Sequence, residues 1–319
     1  MAAVAAALPP LCLEPRIFSS DEQAYLKFYG LDIAAEFAGV AHSLGTIESD
    51  GEQLAVHVWQ RAGAESTLLL VHGYFDHVGL FRHLVRFGLE RGSNVVAFDL
   101  PGHGLSTGEV ASIASFDHYR HAIADVLKAV ESVPGECQVI AQSTGAAAMM
   151  DYLTTEPWPQ LDKVVLLAPL VRPRNWLRVR AGYLLLHRFR DRLPRKFVEN
   201  SSDRQFLRFV RADPLQPQTL SVVWVGALQR WVKEFLQRPG RSLPLLVIQG
   251  DVDGTVDWKY NLRQIRRLFP NAEIHTIAGA GHHLVNESAS IRSNYLALVD
   301  AYLGESGRRS PSASVTLGE

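Results

Sequence analysis

With 319 residues, 47% of them apolar and 20% charged, the chain has the composition of an ordinary globular protein, which excludes wholesale disorder and allows a sizeable core. A formal net charge of −1 gives no ground for a nucleic-acid partner or a generally acidic substrate. Two cysteines, Cys12 and Cys137, are too few for a disulfide framework, which favours a reducing compartment.

The first segment, Met1 to Leu13, is apolar, but it carries no Lys or Arg and contains Pro9 and Pro10, so a cleaved signal peptide is not expected. No later run reaches about 18 uninterrupted apolar residues, so no transmembrane helix is expected either. Cytoplasmic residence, peripheral to a membrane at most, is the expectation. From Leu54 onward, short apolar runs alternate with segments of helical period. Strands are predicted at Leu54 to Trp59, Thr67 to Val71, Asn94 to Phe98, Gln138 to Ala141, Lys163 to Leu167, Leu245 to Ile248 and Glu273 to Ile277. Cys137 adjoins one of these runs, where a buried free thiol is expected. Helices are predicted at Gly79 to Glu90, Phe116 to Ser132, Thr144 to Thr154, Tyr260 to Leu268 and Ser288 to Leu303. Continuous Val, Leu and Ile runs suit strands buried on both faces, so the pattern predicts an α/β fold with a mostly parallel sheet between helical layers.

One gap breaks this rhythm. Between Pro169 and Leu243 the patterning is helical with no good strand, too long for a simple crossover and too apolar for a bare loop. The expected organisation is an N-terminal extension over 1–44, a core over 45–170 and 244–304, an inserted helical cap over 171–243, and a solvated tail over 305–319.

The run from Gln138 leads into Ala141-Gln142-Ser143-Thr144-Gly145 and then Ala146-Ala147-Ala148: a strand, a tight turn and a helix opened by small residues. This context exposes a serine hydroxyl at the carboxyl end of a sheet, although Ala141 stands where such elbows usually have Gly. A serine becomes a useful nucleophile only beside a base that an acceptor holds in the right tautomer. Two downstream loops, both at strand ends, supply candidates: Gly250-Asp251-Val252-Asp253-Gly254 and Ala278-Gly279-Ala280-Gly281-His282-His283. Asp251 and Asp257 compete with Asp253 for the acid, as loop and helix-opening carboxylates. His283 competes with His282 for the base. His72, His77 and His103 read as loop-bracing histidines. No His, Cys, Asp and Glu grouping has zinc-ligand spacing and no Gly-rich phosphate loop follows a strand, so a chemistry without cofactor is expected.

Residues 67–109, with His72-Gly73-Tyr74-Phe75-Asp76-His77 and Asp99-Leu100-Pro101-Gly102-His103-Gly104, resemble the monoacylglycerol lipase and lysophospholipase branch of the α/β-hydrolases. The resemblance continues through the Ser143 elbow, Ala212-Asp213-Pro214-Leu215, and Gly279 to Glu287. It implies Ser143 as nucleophile, Asp253 as acid and His282 as base, with the backbone N–H groups of Tyr74 and Thr144 as oxyanion donors. It also implies an acyl-enzyme route on monoacylglycerol or lysophospholipid-like esters. A proline-iminopeptidase-like aminopeptidase and a non-catalytic binder on the same scaffold are the rival readings; few carboxylates in the cap count against the first, and a complete Ser, Asp and His set counts against the second.

The segment 171–243 holds sixteen Lys and Arg against five Asp and Glu, interleaved with Trp176, Leu177, Tyr183, Leu184, Leu185 and Phe189. Two readings stand side by side. Either the cap touches anionic membrane surfaces transiently, or its apolar stripe packs on the core beneath a solvated basic face.

Overall fold

The computed structural model describes residues 1–157 and 161–304; the expected tail lies outside the described residues. In chain order the elements begin with α1 (Ala2–Ala7) and α2 (Ser20–Tyr29), then β1 (Val40–Ser49), β2 (Glu52–Arg61) and β3 (Ser66–Val71). Next come α3 (Arg82–Glu90), β4 (Asn94–Phe98), α4 (Asp117–Ala129), β5 (Glu136–Gln142), α5 (Thr144–Thr155) and β6 (Leu161–Leu167). The inserted segment carries α6 (Trp176–Leu186), β7 (Arg192–Pro194), α7 (Arg204–Ala212), β8 (Thr219–Ser221) and α8 (Val222–Phe235). The chain then returns to the sheet with β9 (Leu246–Gly250), α9 (Trp258–Leu268), β10 (Glu273–Ile277) and α10 (Ala289–Gly304).

Eight strands form one sheet in the order β1-β2-β4-β3-β5-β6-β9-β10; β1, β2 and β4 pair antiparallel and the remainder run parallel. Alternate residues serve opposite faces. Leu69 and Val71 join the apolar layer with α4, α5, α8 and α9, whereas Leu68 and Leu70 join the layer with α2, α3 and α10. Both faces are therefore covered, which is why these strands read as unbroken apolar runs. The chain leaves β3 for β4 on one side and reaches β5 on the other, so the strand order reverses at β3. Crevices at such reversals, beyond the carboxyl ends of the strands, are where open α/β sheets hold their sites.

Three features depart from the expectations. The predicted extension is partly sheet, because β1 starts at Val40 and pairs along its whole length with β2. Its outer edge is covered near the middle, where Leu11 N–H donates to Thr46 O and Thr46 N–H to Pro9 O, each at 2.8 Å. The predicted helix from Gly79 is broken into a 3-10 turn, Val78–Leu80, and α3. The inserted segment is not wholly helical: β7 and β8 pair antiparallel, three residues each, too short to leave a period in the sequence. Cys137 is a free, half-buried thiol whose pKa burial pushes up to about 12.

Candidate active site

Ser143 follows β5 directly, at φ 54° and ψ −112°, an uncommon conformation for a side-chain-bearing residue that turns the chain sharply from strand to helix. Its N–H still donates to Leu167 O at 2.9 Å, and its carbonyl accepts from Ala147 N–H at 3.0 Å as α5 begins. The helix can start this close to the sheet because position 145 is glycine: a Cβ there would stand 2.4 Å from His72 O and 2.5 Å from Val71 O. Ala141, by contrast, lies within regular parallel register between Val71 and Leu166, where its methyl group costs nothing.

The three distant side chains meet. Ser143 Oγ lies 2.8 Å from His282 Nε2, and His282 Nδ1 lies 2.8 Å from Asp253 Oδ2. Asp253 Oδ2 also accepts from Gln249 Nε2 at 2.9 Å, and its Oδ1 from the N–H groups of Thr255 at 2.8 Å and Val256 at 3.1 Å. Burial opposes charge on this carboxylate, but the His282 interaction and these donors outweigh it and hold its pKa below the ordinary value. Burial likewise pulls the His282 imidazole toward neutrality, yet the Asp253 charge and hydrogen bond prevail and raise its pKa. The loops that carry Asp253 and His282 adjoin because β9 and β10 pair side by side, and a Cβ at Gly250 would lie 2.2 Å from Ala280 O.

The competing residues go elsewhere. Asp251 accepts from Gly279 N–H at 2.7 Å, bracing the histidine loop, and Asp257 holds the Arg172 guanidinium at 2.6 Å. His283 turns to Asp76, Nε2 to Oδ1 at 2.9 Å. His72 is a brace: Leu100 N–H donates to its Nε2 at 2.8 Å, so Nδ1 carries the proton and donates to Gly73 O at 2.7 Å. Burial lowers its pKa to about 3. His77 reaches Asp213 Oδ2 at 2.8 Å, and His103 Nδ1 lies 2.9 Å from Pro101 O.

Tyr74 lies three residues beyond the end of β3, its ring stacked on Trp224 at 3.9 Å between centroids and its hydroxyl donating to Ala111 O at 2.7 Å. Among the described residues, neither the Tyr74 nor the Thr144 N–H donates to a protein acceptor. The hydroxyl of Ser143 faces a cavity of about 250 Å³ walled by Leu170, Pro173, Leu220, Trp224 and Val256, with Asp76, Arg195, Lys196, Asn200, Thr255 and His283 contributing polar groups.

Residues to which the sequence assigns no role complete the support. Gln249 orients Asp253, and Glu287, fully buried, accepts from Gly281 N–H at 2.6 Å and Ser202 N–H at 2.8 Å, tying the histidine loop to the inserted segment. Asp213 accepts from Tyr29 Oη at 2.6 Å, His77 Nε2 at 2.8 Å and Leu215 N–H at 3.0 Å, so three distant parts of the chain share one buried carboxylate. No sequence-local signal marks these roles, since each depends on partners brought in by the fold. Among the described residues no group of three or more His, Cys, Asp or Glu has metal-site geometry.

The arrangement is an α/β-hydrolase. Among solved structures, a soluble variant of monoglyceride lipase from Saccharomyces cerevisiae superposes with a TM-score of 0.70 at 17% identity, covering 82% of this chain and 93% of that one. The Paleococcus ferrophilus monoacylglycerol lipase gives 0.67 at 20% identity, covering 79% and 99%. More particularly, the family model described as "Serine aminopeptidase, S33" matches residues 62–289, and the chain belongs to that family. A relative named "Probable lysophospholipase L2" from Haemophilus influenzae is 24% identical over 271 residues, 74% of this chain and 83% of that protein. Human "Monoglyceride lipase" is 31% identical over 131 residues, 39% of this chain and 42% of that protein.

Proposed function

We propose that the protein is a serine ester hydrolase that works through an acyl-enzyme on single-chain lipid esters of the monoacylglycerol or lysophospholipid type. The observation that carries this is the unbroken chain Ser143–His282–Asp253, 2.8 Å at each link, opening on a cavity with Leu, Pro, Val and Trp walls. In this reading Ser143 attacks the ester carbonyl while His282 takes its proton, and Asp253 fixes the Nδ1–H tautomer and stabilises the imidazolium. The free N–H groups of Tyr74 and Thr144 receive the developing oxyanion. His282 then protonates the departing alcohol, and water releases the acid by the same path in reverse. The names of the relatives support the lipid-ester class. The Leu, Pro and Trp walls suit an acyl chain better than a peptide.

The inserted segment is assigned as a cap over this cavity, with an outer face that meets anionic lipid. On α6 the side chains of Trp176, Val179 and Tyr183 pack inward, while Leu177, Leu184, Leu185 and, in the following turn, Phe189 are 65–80% exposed. Arg174, Arg178, Arg180, Arg188 and Arg190 surround them, all exposed and, among the described residues, without a carboxylate within ion-pair distance. Exposed large apolar groups ringed by free guanidinium groups suit a surface of acyl chains beneath anionic head groups. Among the described residues no helix is long and apolar enough to cross a membrane.

A fluorophosphonate probe tests the chemistry: folded protein should be labelled at Ser143, the Ser143→Ala variant should not, and monoacylglycerols or lysophospholipids should compete better than aminoacyl anilides. Absence of an adduct in folded wild-type protein would leave a binder on the hydrolase scaffold. Preference for the anilides would instead support the aminopeptidase reading. For the outer face, co-sedimentation should be stronger with phosphatidylglycerol-containing vesicles than with phosphatidylcholine alone and should weaken in Leu184→Asp; equal binding to the two vesicle types would exclude the assigned contact.

A further inference from the structure

A second cleft, of about 280 Å³, adjoins the cavity that holds Ser143 along the inward face of α7. Phe28, Tyr29 and Phe209 line it together with the polar side chains of Arg82, His83 and Asp203. Phe206 borders both spaces, and among the described residues it is the one side chain that the two cavities share. It sits on the inward face of α7 with Val210, four residues on, and is 9% exposed.

Which half of a bound ester would meet Phe206 follows from its neighbours. Its ring lies 4.6 Å from the His283 ring, between centroids. His283 in turn bonds Asp76 through its ring and Asn200 O through its N–H at 2.8 Å. Of the polar groups that line the inner cavity, His283, Asp76 and Asn200 thus sit at the Phe206 end, Arg195, Lys196 and Thr255 line it elsewhere, and the apolar walls formed by Leu170, Leu220, Trp224 and Val256 leave space for an acyl chain. The alcohol half of an ester attacked by Ser143 then points toward Phe206, and the polar cleft beyond is where a larger head group would continue.

We propose that Phe206 is the partition that limits the size of the alcohol half, a specificity-determining side chain rather than a catalytic one. The proposal rests on the ester-hydrolase reading above. With the partition closed, esters of small alcohols fit; a head group longer than the inner cavity has to displace the ring. Shortening the ring to a methyl group joins the two spaces and gives a longer polar head group a path to Arg82 and His83.

The test uses the full chain and octanoyl esters of methanol, glycerol and glycerophosphocholine, with a parallel methyl-ester series of varied acyl length. In Phe206→Ala the ratio of kcat/KM for the glycerophosphocholine ester to that for the methyl ester should rise at least about tenfold, the scale on which pocket volume discriminates substrates. Phe206→Val should give an intermediate rise and Phe206→Trp a fall, so the proposal remains testable should the alanine variant fold poorly. Fluorophosphonate labelling of Ser143 identifies the folded fraction of each variant. An unaltered ratio in labelled protein would overturn the proposal, as would a shift in acyl-length preference in place of head-group preference. If neither wild-type protein nor variants are labelled or turn over any ester, the hydrolase reading fails first, and this one with it.

Discussion

Replacing Asp213 by alanine should cost the protein about 3–5 kcal/mol, a large share of the roughly 5–15 kcal/mol that holds a typical domain together. Three donors lose their common acceptor: the Tyr29 hydroxyl on α2, the His77 ring in the loop after β3, and the Leu215 amide after α7. A hydrogen bond to a charged group contributes about 1.5–3 kcal/mol, and a buried donor left without a partner costs its desolvation besides. The three losses are not additive, because the freed groups share one site. Asp213→Asn keeps the volume and one acceptor oxygen, so about half the loss is expected. Urea unfolding followed by tryptophan fluorescence measures both. The acid dependence is a second check. Burial works against the charge, but the His77 and Tyr29 hydrogen bonds prevail and hold this carboxylate below its ordinary value of 3.8. Its contribution is therefore complete above about pH 4, the unfolded value, and is lost as the pH falls through the folded one. The gap between wild type and Asp213→Ala should not narrow from pH 8 to 6 and should narrow in acid. A neutral-pH loss under about 1 kcal/mol, or a gap already closing between pH 8 and 6, would refute the reasoning.

Three further outcomes are expected. Asp253→Asn should lower kcat by about 10⁴-fold with little change in KM, because the amide no longer enforces the Nδ1–H tautomer of His282; a loss below tenfold would assign the acid role elsewhere. With the neutral imidazole as the proposed base and its pKa raised above 6.5, kcat/KM should fall on acidification with a midpoint above that value, measured on a water-soluble ester; a midpoint well below 6.5 would contradict the Asp253–His282 coupling. Gly145→Ala should destabilise the fold by about 1–3 kcal/mol and depress turnover, because the new methyl group meets the carbonyls of Val71 and His72 and opens the turn at Ser143. Wild-type behaviour in both assays would show that the elbow is looser than its contacts imply.

The central strands were legible because burial on both faces leaves unbroken runs such as Leu68 to Val71 and Val164 to Leu167. Strand β1 was not: as an edge strand it mixes His42, Ser43 and Thr46 with apolar residues and carries neither a clean alternation nor a continuous run. The meeting of Ser143, Asp253 and His282 was legible from the order of three loops, each placed at the carboxyl end of a strand. Ala141 in place of glycine weakened that signal without bearing on the geometry, since the close approach is made two residues after the serine rather than two before it. The bracing roles of Gln249, Glu287 and Asp213 stayed hidden for a different reason. Asp213 and Tyr29 are separated by 184 positions, and only the packed chain reveals that one buries the charge the other satisfies.

The strap formed by Pro9 to Leu11 over β1 bears on how this protein is handled. Family matching begins at residue 62, but a fragment cut there would lose both β1 and β2 and leave β4 as a bare sheet margin. Even removal of the first dozen residues uncovers the Thr46 amide and carbonyl, which a second molecule is free to zip onto. Shortened forms should therefore self-associate before they lose their helical signature, and a preparation trimmed by proteolysis at its amino end should be judged by light scattering as well as by turnover.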